Sequence, residues 1–181
     1  MTLYDFDVVE ARNIANQMFR ESDIGRPKVE ALADLLCEIN PACKDGLKLV
    51  PEGWVGQRLA GHVFLCVDNI ELRKEILLKN KNNSYIQSVY DFRTRLTDAQ
   101  HYAADWHDKK MVADLLASMN FTHDEASAET PLSACRVPLS VAPTIRGIVS
   151  MGVANFINFT KGKPLKKLIL MDAFDFTVDA F

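Results

Sequence analysis

Along this chain, short continuous apolar runs alternate with longer stretches of helical periodicity. TLYDFDVV mixes β-branched, aromatic and acidic residues and reads as a short strand ending near Asp5 to Asp7. Pro27 then marks a helix start, where its missing N–H costs nothing. Val29, Leu32, Leu35, Leu36 and Ile39 recur at helical spacing until Asn40-Pro41 ends the helix. GLKLVPE reads as the next strand. HVFLCV is continuously apolar and too short for a typical helix, which suits a strand buried on both faces. Asp68-Asn69 stands at its carboxyl end, and IELRKEILLKN continues as a helix. YIQSVYDF and QHYAADW read as two more strands, and HDKKMVADLLASMN as an amphipathic helix. FTHDEASAETPLSACRVP, within residues 121–138, lacks periodicity and reads as a long, poorly ordered loop. SVAPTIRGIVSMGVANFINFTKG is the most apolar helix, with Gly162 as its stop, and LKKLILMDAFDF closes as a strand.

Strands alternating with helices predict an α/β fold: a Rossmann-like, mostly parallel sheet with helices on both faces, in one domain over residues 1–181. Such sheets bind ligands beyond the carboxyl ends of their strands. Asp5 and Asp68 both occupy that kind of position.

Composition narrows the function classes. The 48% hydrophobic and 25% charged content is that of a soluble globular domain, long enough to bury a core without disulfides or metals. The net charge of −3, with no long basic block, argues against nucleic acid. No apolar run has membrane-spanning length and no signal peptide is visible, so a cytoplasmic location is expected. Cys37, Cys43, Cys66 and Cys135 form no CxxC pair, which argues against structural zinc. They are expected to be reduced, and mostly small buried hydrophobes. His62, His101, His107 and His123 show no metal-ligand spacing and read as structural or exposed. The Phe, Met and Ile residues of the last helix read as core.

Four places could carry chemistry. Asp5 and Asp7 at a strand end suit hydrogen bonds from ribose hydroxyls, or form a solvated strand end. Lys28, in the first turn of its helix, opposes the helix dipole unless a phosphate is near; otherwise it is solvated. Asp68 suits Mg2+ beside phosphates, because Mg2+ keeps hard oxygen ligands and waters; it also suits the N-cap of the following helix. Arg73 in that helix is solvated or paired with Glu71 or Glu75. Cys135, beside Arg136, is either a reachable thiol in the loop or a residue packed on the sheet.

In order, DFDVVEARN…NQ, DIGRPKVEALADLLCEINP, VFLCVDNIELRKEIL and the apolar GIVSMGVANFI resemble the ThiF/MoeB/HesA family, the adenylating domain of ubiquitin-like protein activating enzymes. The resemblance is strongest from Tyr4 to Arg73. It implies ATP and Mg2+ as cofactors, and adenylation of the C-terminus of a ubiquitin-like or sulfur-carrier protein. By position, it implies Asp5 as the ribose-binding Asp, Asp7 as the second acidic position, and Asn13 and Gln17 as the Asn and Gln of an NxxRQ element. It implies Lys28 as the phosphate-contacting Lys, Asp68 as the Mg2+-linked catalytic Asp and Arg73 as its companion. Cys135 lies in the region where members with a thiol step carry their Cys. The chain departs from the family in three places. There is no Gly-rich GxGxxG turn, so the fold is expected to be truncated at its N-terminus. Asn16 stands at the Arg of NxxRQ, with Arg12 one turn earlier. The paired CxxC motifs are absent. A homodimer or a partner subunit is expected, because a missing strand leaves sheet edges unpaired. Two rivals remain: a non-catalytic pseudoenzyme that binds partners, and a nicotinamide-dependent Rossmann enzyme, which GRPK and VDN do not suit.

Overall fold

In the computed structural model, residues 1–122, 124–125 and 141–181 are described; Cys135 and His123 lie outside them. They form two compact units, Met1–Gln57 and Arg58–Phe181.

In the first unit, β1 (Thr2–Tyr4) pairs in parallel with β2 (Lys48–Val50), Leu3 opposite Leu49. The strand stops sooner than its apolar run predicts. The Asp5 carboxylate accepts the N–H of Asp7 at 2.9 Å, a local turn that competes with the extended backbone. The chain then runs antiparallel to its own later segment. Val9 N–H donates to the Arg26 carbonyl, and Gly25 N–H to the Val9 carbonyl, both at 2.8 Å. Gly25, at φ +88°, makes the left-handed turn that this return requires. Helix α1 (Lys28–Ile39) starts directly after Pro27 and ends before Asn40-Pro41, as its pattern predicts. Its apolar stripe is less buried than the spacing suggests. Val29 and Ala31 are buried, Leu32, Leu35 and Leu36 are half-buried, and Ile39 is exposed.

The second unit holds β3 (Gly61–Leu65), α2 (Ile70–Lys79), β4 (Ile86–Thr94), β5 (Asp98–Asp105), α3 (Lys109–Ala117), α4 (Ala142–Thr160), β6 (Leu168–Asp172) and β7 (Thr177–Ala180). The strands form one five-stranded sheet in chain order. β3 and β4, joined through α2, are parallel; the other three pairings of this sheet are antiparallel. A parallel pair needs a crossover, which α2 supplies between β3 and β4, and a tight turn joins only antiparallel neighbours, as between β4 and β5 and between β6 and β7; β5 and β6 are antiparallel although α3 and α4 lie between them. The α/β class and the helices on both faces are as predicted. β7 is an addition. The Asp172 carboxylate accepts N–H bonds from Phe174 and Asp175, which breaks LKKLILMDAFDF into a strand and a turn. Those same bonds hold the Asp172 carboxyl below the usual carboxylate range.

One core cluster lies between the sheet and α4, and Leu77, Val89, Val112 and Leu115 are buried outside it. Tyr90, Phe92, Ala99, Ala103, Ile169 and Met171 face Ile148 and the partly buried Met151 and Phe156. Thr144, Ile148, Gly152 and Asn155 form the buried stripe of α4. A Cβ at Gly152 would stand 2.5 Å from Phe92 Cζ, so only glycine lets the helix approach this closely. β3 is less enclosed than a strand buried on both faces. It pairs on one side only within its sheet, and Phe64 is exposed.

Candidate functional site

The first unit places Asp7 and Lys28 together. Lys28 N–H, the first of its helix and without an intrahelical acceptor, donates to the Asp7 carbonyl at 2.9 Å. Lys28 Nζ reaches the Asp7 carboxylate at 2.7 Å. Lys28 is therefore neither a freely solvated side chain nor one awaiting only a phosphate: a carboxylate already balances it. Asp5 is half-buried and spends one oxygen on the Asp7 N–H. Asn13 accepts the Glu10 N–H at 2.9 Å, closing a single helical turn, and Gln17 is exposed in the turn that follows. Arg12 pairs with Glu10. Arg26 bridges Asp23 at 3.0 Å and Asp34 at 2.6 Å, which ties GRPK to the middle of α1.

The second unit resolves the roles around VDN. Asn69, not Asp68, caps α2: its side-chain oxygen accepts the Leu72 N–H at 2.7 Å. Asp68 is exposed, just beyond the carboxyl end of β3. Arg73 is neither solvated nor paired with Glu71 or Glu75. It is buried, its Nε donating to the Val67 carbonyl at 2.6 Å. Its Nη1 donates to the Asp91 carboxylate and, at 2.7 Å, to the Phe92 carbonyl. The reason is spacing: one turn into α2, Arg73 lies on the helix's inner face with Ile70, Ile76 and Leu77, over β4. Arg73 thus holds the backbone that presents Asp68.

Asp91 is an acid inside the apolar run YIQSVYDF, a signal of burial that the motif pattern does not capture. It is fully buried between two guanidinium groups: Arg73, and Arg93 Nε at 2.7 Å. Arg93 also donates to the carbonyl and hydroxyl of Ser118, at 2.8 and 2.9 Å, and lies 4.3 Å over the Tyr102 ring. On the opposite face, His101 is fully buried and stacked on Phe92. Burial drives its pKa down to about 4. Of the two roles its sequence context allows, structural or exposed, His101 has the structural one.

The thiols differ from the buried hydrophobes expected. Cys37 and Cys43 are half-buried and Cys66 is exposed.

For a nucleotide with Mg2+, the donor set is a partial fit. Among the described residues, no three His, Cys, Asp or Glu side chains come together to hold a metal. Asp68 offers one hard oxygen ligand, and Mg2+ takes its remaining ligands from phosphates and water. A cavity of about 260 Å3 lies elsewhere, beside β5, β6 and β7, and includes Asp98, Asp172 and Asp179. Its acidic lining does not suit phosphate. Among the described residues, no helix is long and apolar enough to cross a membrane.

Comparison with known proteins bears on the family and the fold. The ThiF family profile matches residues 1–181. Molybdopterin-synthase adenylyltransferase of Escherichia coli (strain K12) is 33% identical over 81 residues, covering 42% of this chain and 32% of the relative. The Salmonella typhimurium protein of the same name is 32% identical over 85 residues, with the same shares. Among solved structures, PaaA superposes with a TM-score of 0.65 at 15% identity, covering 99% of this chain and 64% of that one. E. coli MccB gives 0.64 at 15%, covering 99% and 54%. The matched part thus spans about a third of the curated relatives' length, and the structural likeness speaks for the fold.

Proposed function

The chain belongs to the ThiF family, and from that premise we propose an adenylyltransferase-type function with ATP and Mg2+. Its substrate is the C-terminal carboxylate of a ubiquitin-like or sulfur-carrier protein. The observation that carries this reading is Asp68: a carboxylate beyond the end of β3, relieved of capping by Asn69 and presented by a backbone that Arg73 grips. Bound Mg2+ would be held by Asp68 and would neutralise phosphate charge. Asp5 would accept hydrogen bonds from ribose hydroxyls. Lys28 would turn its ammonium from Asp7 toward a phosphate, as a point charge. Asp7 and Asn13 shape the segment that carries Asp5 and Lys28, and the exposed Gln17 would join the nucleotide contacts. The carrier's carboxylate is already ionised, so no general base is required. Cys135 would accept the activated acyl group. The protein acts as a homodimer or with a partner subunit, consistent with the exposed edge strand β7.

Two observations favour the second reading, a non-catalytic partner-binding subunit: Lys28 is already neutralised by Asp7, and Asn16 replaces the family's Arg.

Calorimetry with Mg-ATP, together with ATP–pyrophosphate exchange in the presence of carrier proteins, separates the two. The adenylating reading expects binding that weakens about tenfold or more in Asp68→Ala and Lys28→Ala, the range of a lost charge-assisted contact. Absence of Mg-ATP binding, with no exchange for any carrier, removes it. Binding that neither substitution alters removes the residue assignment. The thiol step expects Cys135 to be alkylated faster than the other three cysteines in the folded protein; equal or slower labelling removes that step.

A further inference from the structure

Cys37, on the last turn of α1, and Cys43, in the 3-10 turn Pro41–Gly46, bring their sulfurs to 3.7 Å. Nothing in the adenylating reading uses either thiol. The backbone between them is built to hold this approach. Pro41 ends the helix because it has no N–H to continue the ladder. The Asn40 side chain accepts the Ala42 N–H at 3.2 Å, and the Asn40 carbonyl accepts the Cys43 N–H at 3.1 Å. The chain therefore folds back on itself within six residues, and Cys43 lands over the side chain it left behind. Both thiols are half-buried, and Glu38, Ile39, Asn40 and Ala42 around them are exposed, so a soluble disulfide can reach the pair.

A disulfide has its sulfurs about 2.05 Å apart and tolerates a limited range of Cα separations. Closing from 3.7 Å takes side-chain rotation and small movement of an exposed turn, not rearrangement of a core. We propose that Cys37 and Cys43 are a reversible dithiol–disulfide site, formed by exchange with a low-molecular-weight disulfide, that staples the end of α1 to the turn leading into β2.

The exchange balances as follows. The Cys43 thiolate attacks one sulfur of the small disulfide, whose S–S bond breaks and releases one small thiolate. The Cys37 thiolate then attacks Cys43 Sγ and expels the second. Two cysteine thiols are oxidised, one small disulfide is reduced to two thiols, and the two protons lost by the cysteines end on those products. Burial, with the hydrogen bond to Cys43, raises the Cys37 pKa and so lowers its thiolate fraction, which argues against Cys37 as the first attacker.

The test uses the intact chain with oxidised and reduced glutathione as the probe. Trypsin leaves both cysteines on one peptide, Val29–Lys44, so acid quenching, alkylation and mass measurement read this site apart from Cys66 and Cys135. The expected product is that peptide lacking two hydrogen atoms and refusing alkylation. Its equilibrium against glutathione should lie at least about tenfold further toward the disulfide in the folded protein than in urea, since native packing raises the effective concentration of one thiol at the other. Cys37→Ser and Cys43→Ser should each stop at a stable glutathione adduct. A folded-to-unfolded ratio below that, or persistent glutathione adducts on both cysteines of the unaltered chain, overturns the proposal. This outcome is independent of whether the protein binds ATP.

Discussion

Asn155 turns its amide nitrogen toward His101: Nδ2 lies 3.3 Å from Nε2. The orientation is set by Lys166, whose N–H donates to Asn155 Oδ1 at 3.0 Å and whose carbonyl accepts from Nδ2 at 2.8 Å. Nε2 must therefore be the unprotonated acceptor, while Nδ1 faces the Asp91 carbonyl at 3.2 Å as donor. A proton on Nε2 would set donor against donor inside the core.

His101 thus makes stability depend on pH. Its pKa is about 4 in the folded protein against an ordinary 6.5, so the unfolded chain binds the extra proton first. The contribution is complete above pH 6.5 and is lost as pH falls toward 4. At about 1.4 kcal/mol per pKa unit, this amounts to about 3 kcal/mol. Urea unfolding followed across that range should show the decline, and His101→Gln should remove most of it. A His101→Gln profile with an unchanged slope would refute the assignment.

Two glycines of α4 should respond oppositely to alanine. Gly152→Ala puts a Cβ against the Phe92 ring, wedged between α4 and His101, and should destabilise by about 1–3 kcal/mol. Gly147→Ala meets the flexible end of Met171, 2.8 Å from its sulfur. The methionine can move, and alanine's helix propensity offsets the crowding by up to about 1 kcal/mol. Thermal midpoints of the two variants should therefore separate, with Gly152→Ala clearly the lower.

Asp91 balances two guanidinium groups out of contact with water. Asp91→Asn leaves both facing a neutral group, and loss of one partner from a buried ion pair costs about 3–5 kcal/mol. Denaturant titration should show a lowered midpoint. Asp7→Asn is the contrast. Its carboxylate is about half exposed at 49%, and such pairs contribute at most about 1 kcal/mol, so its midpoint should hardly move.

Secondary structure was legible because it rests on local rules. Helical spacing and Pro27 marked α1, and the short apolar run marked β3. β7 was not legible, because FDFTVDA continues the apolar pattern of β6 and the break comes from the Asp172 side chain bonding its own turn. The candidate residues were legible singly, by type and position. Their bonding was not: Asp68 and Asn69 both suit an N-cap by type, and only the backbone selects Asn69.

The sequence by itself determined the order of the helices and of the strands up to β6, and the family, since periodicity, turn chemistry and motif order are properties of neighbours along the chain. Tertiary structure decided which charges are used up. Lys28 meets Asp7 from 21 residues away, Arg73 and Arg93 enclose Asp91, and His101 is kept neutral by burial under α4, whose Asn155 faces its Nε2. Burial and pairing depend on contacts distant in the chain, and no local pattern encodes them.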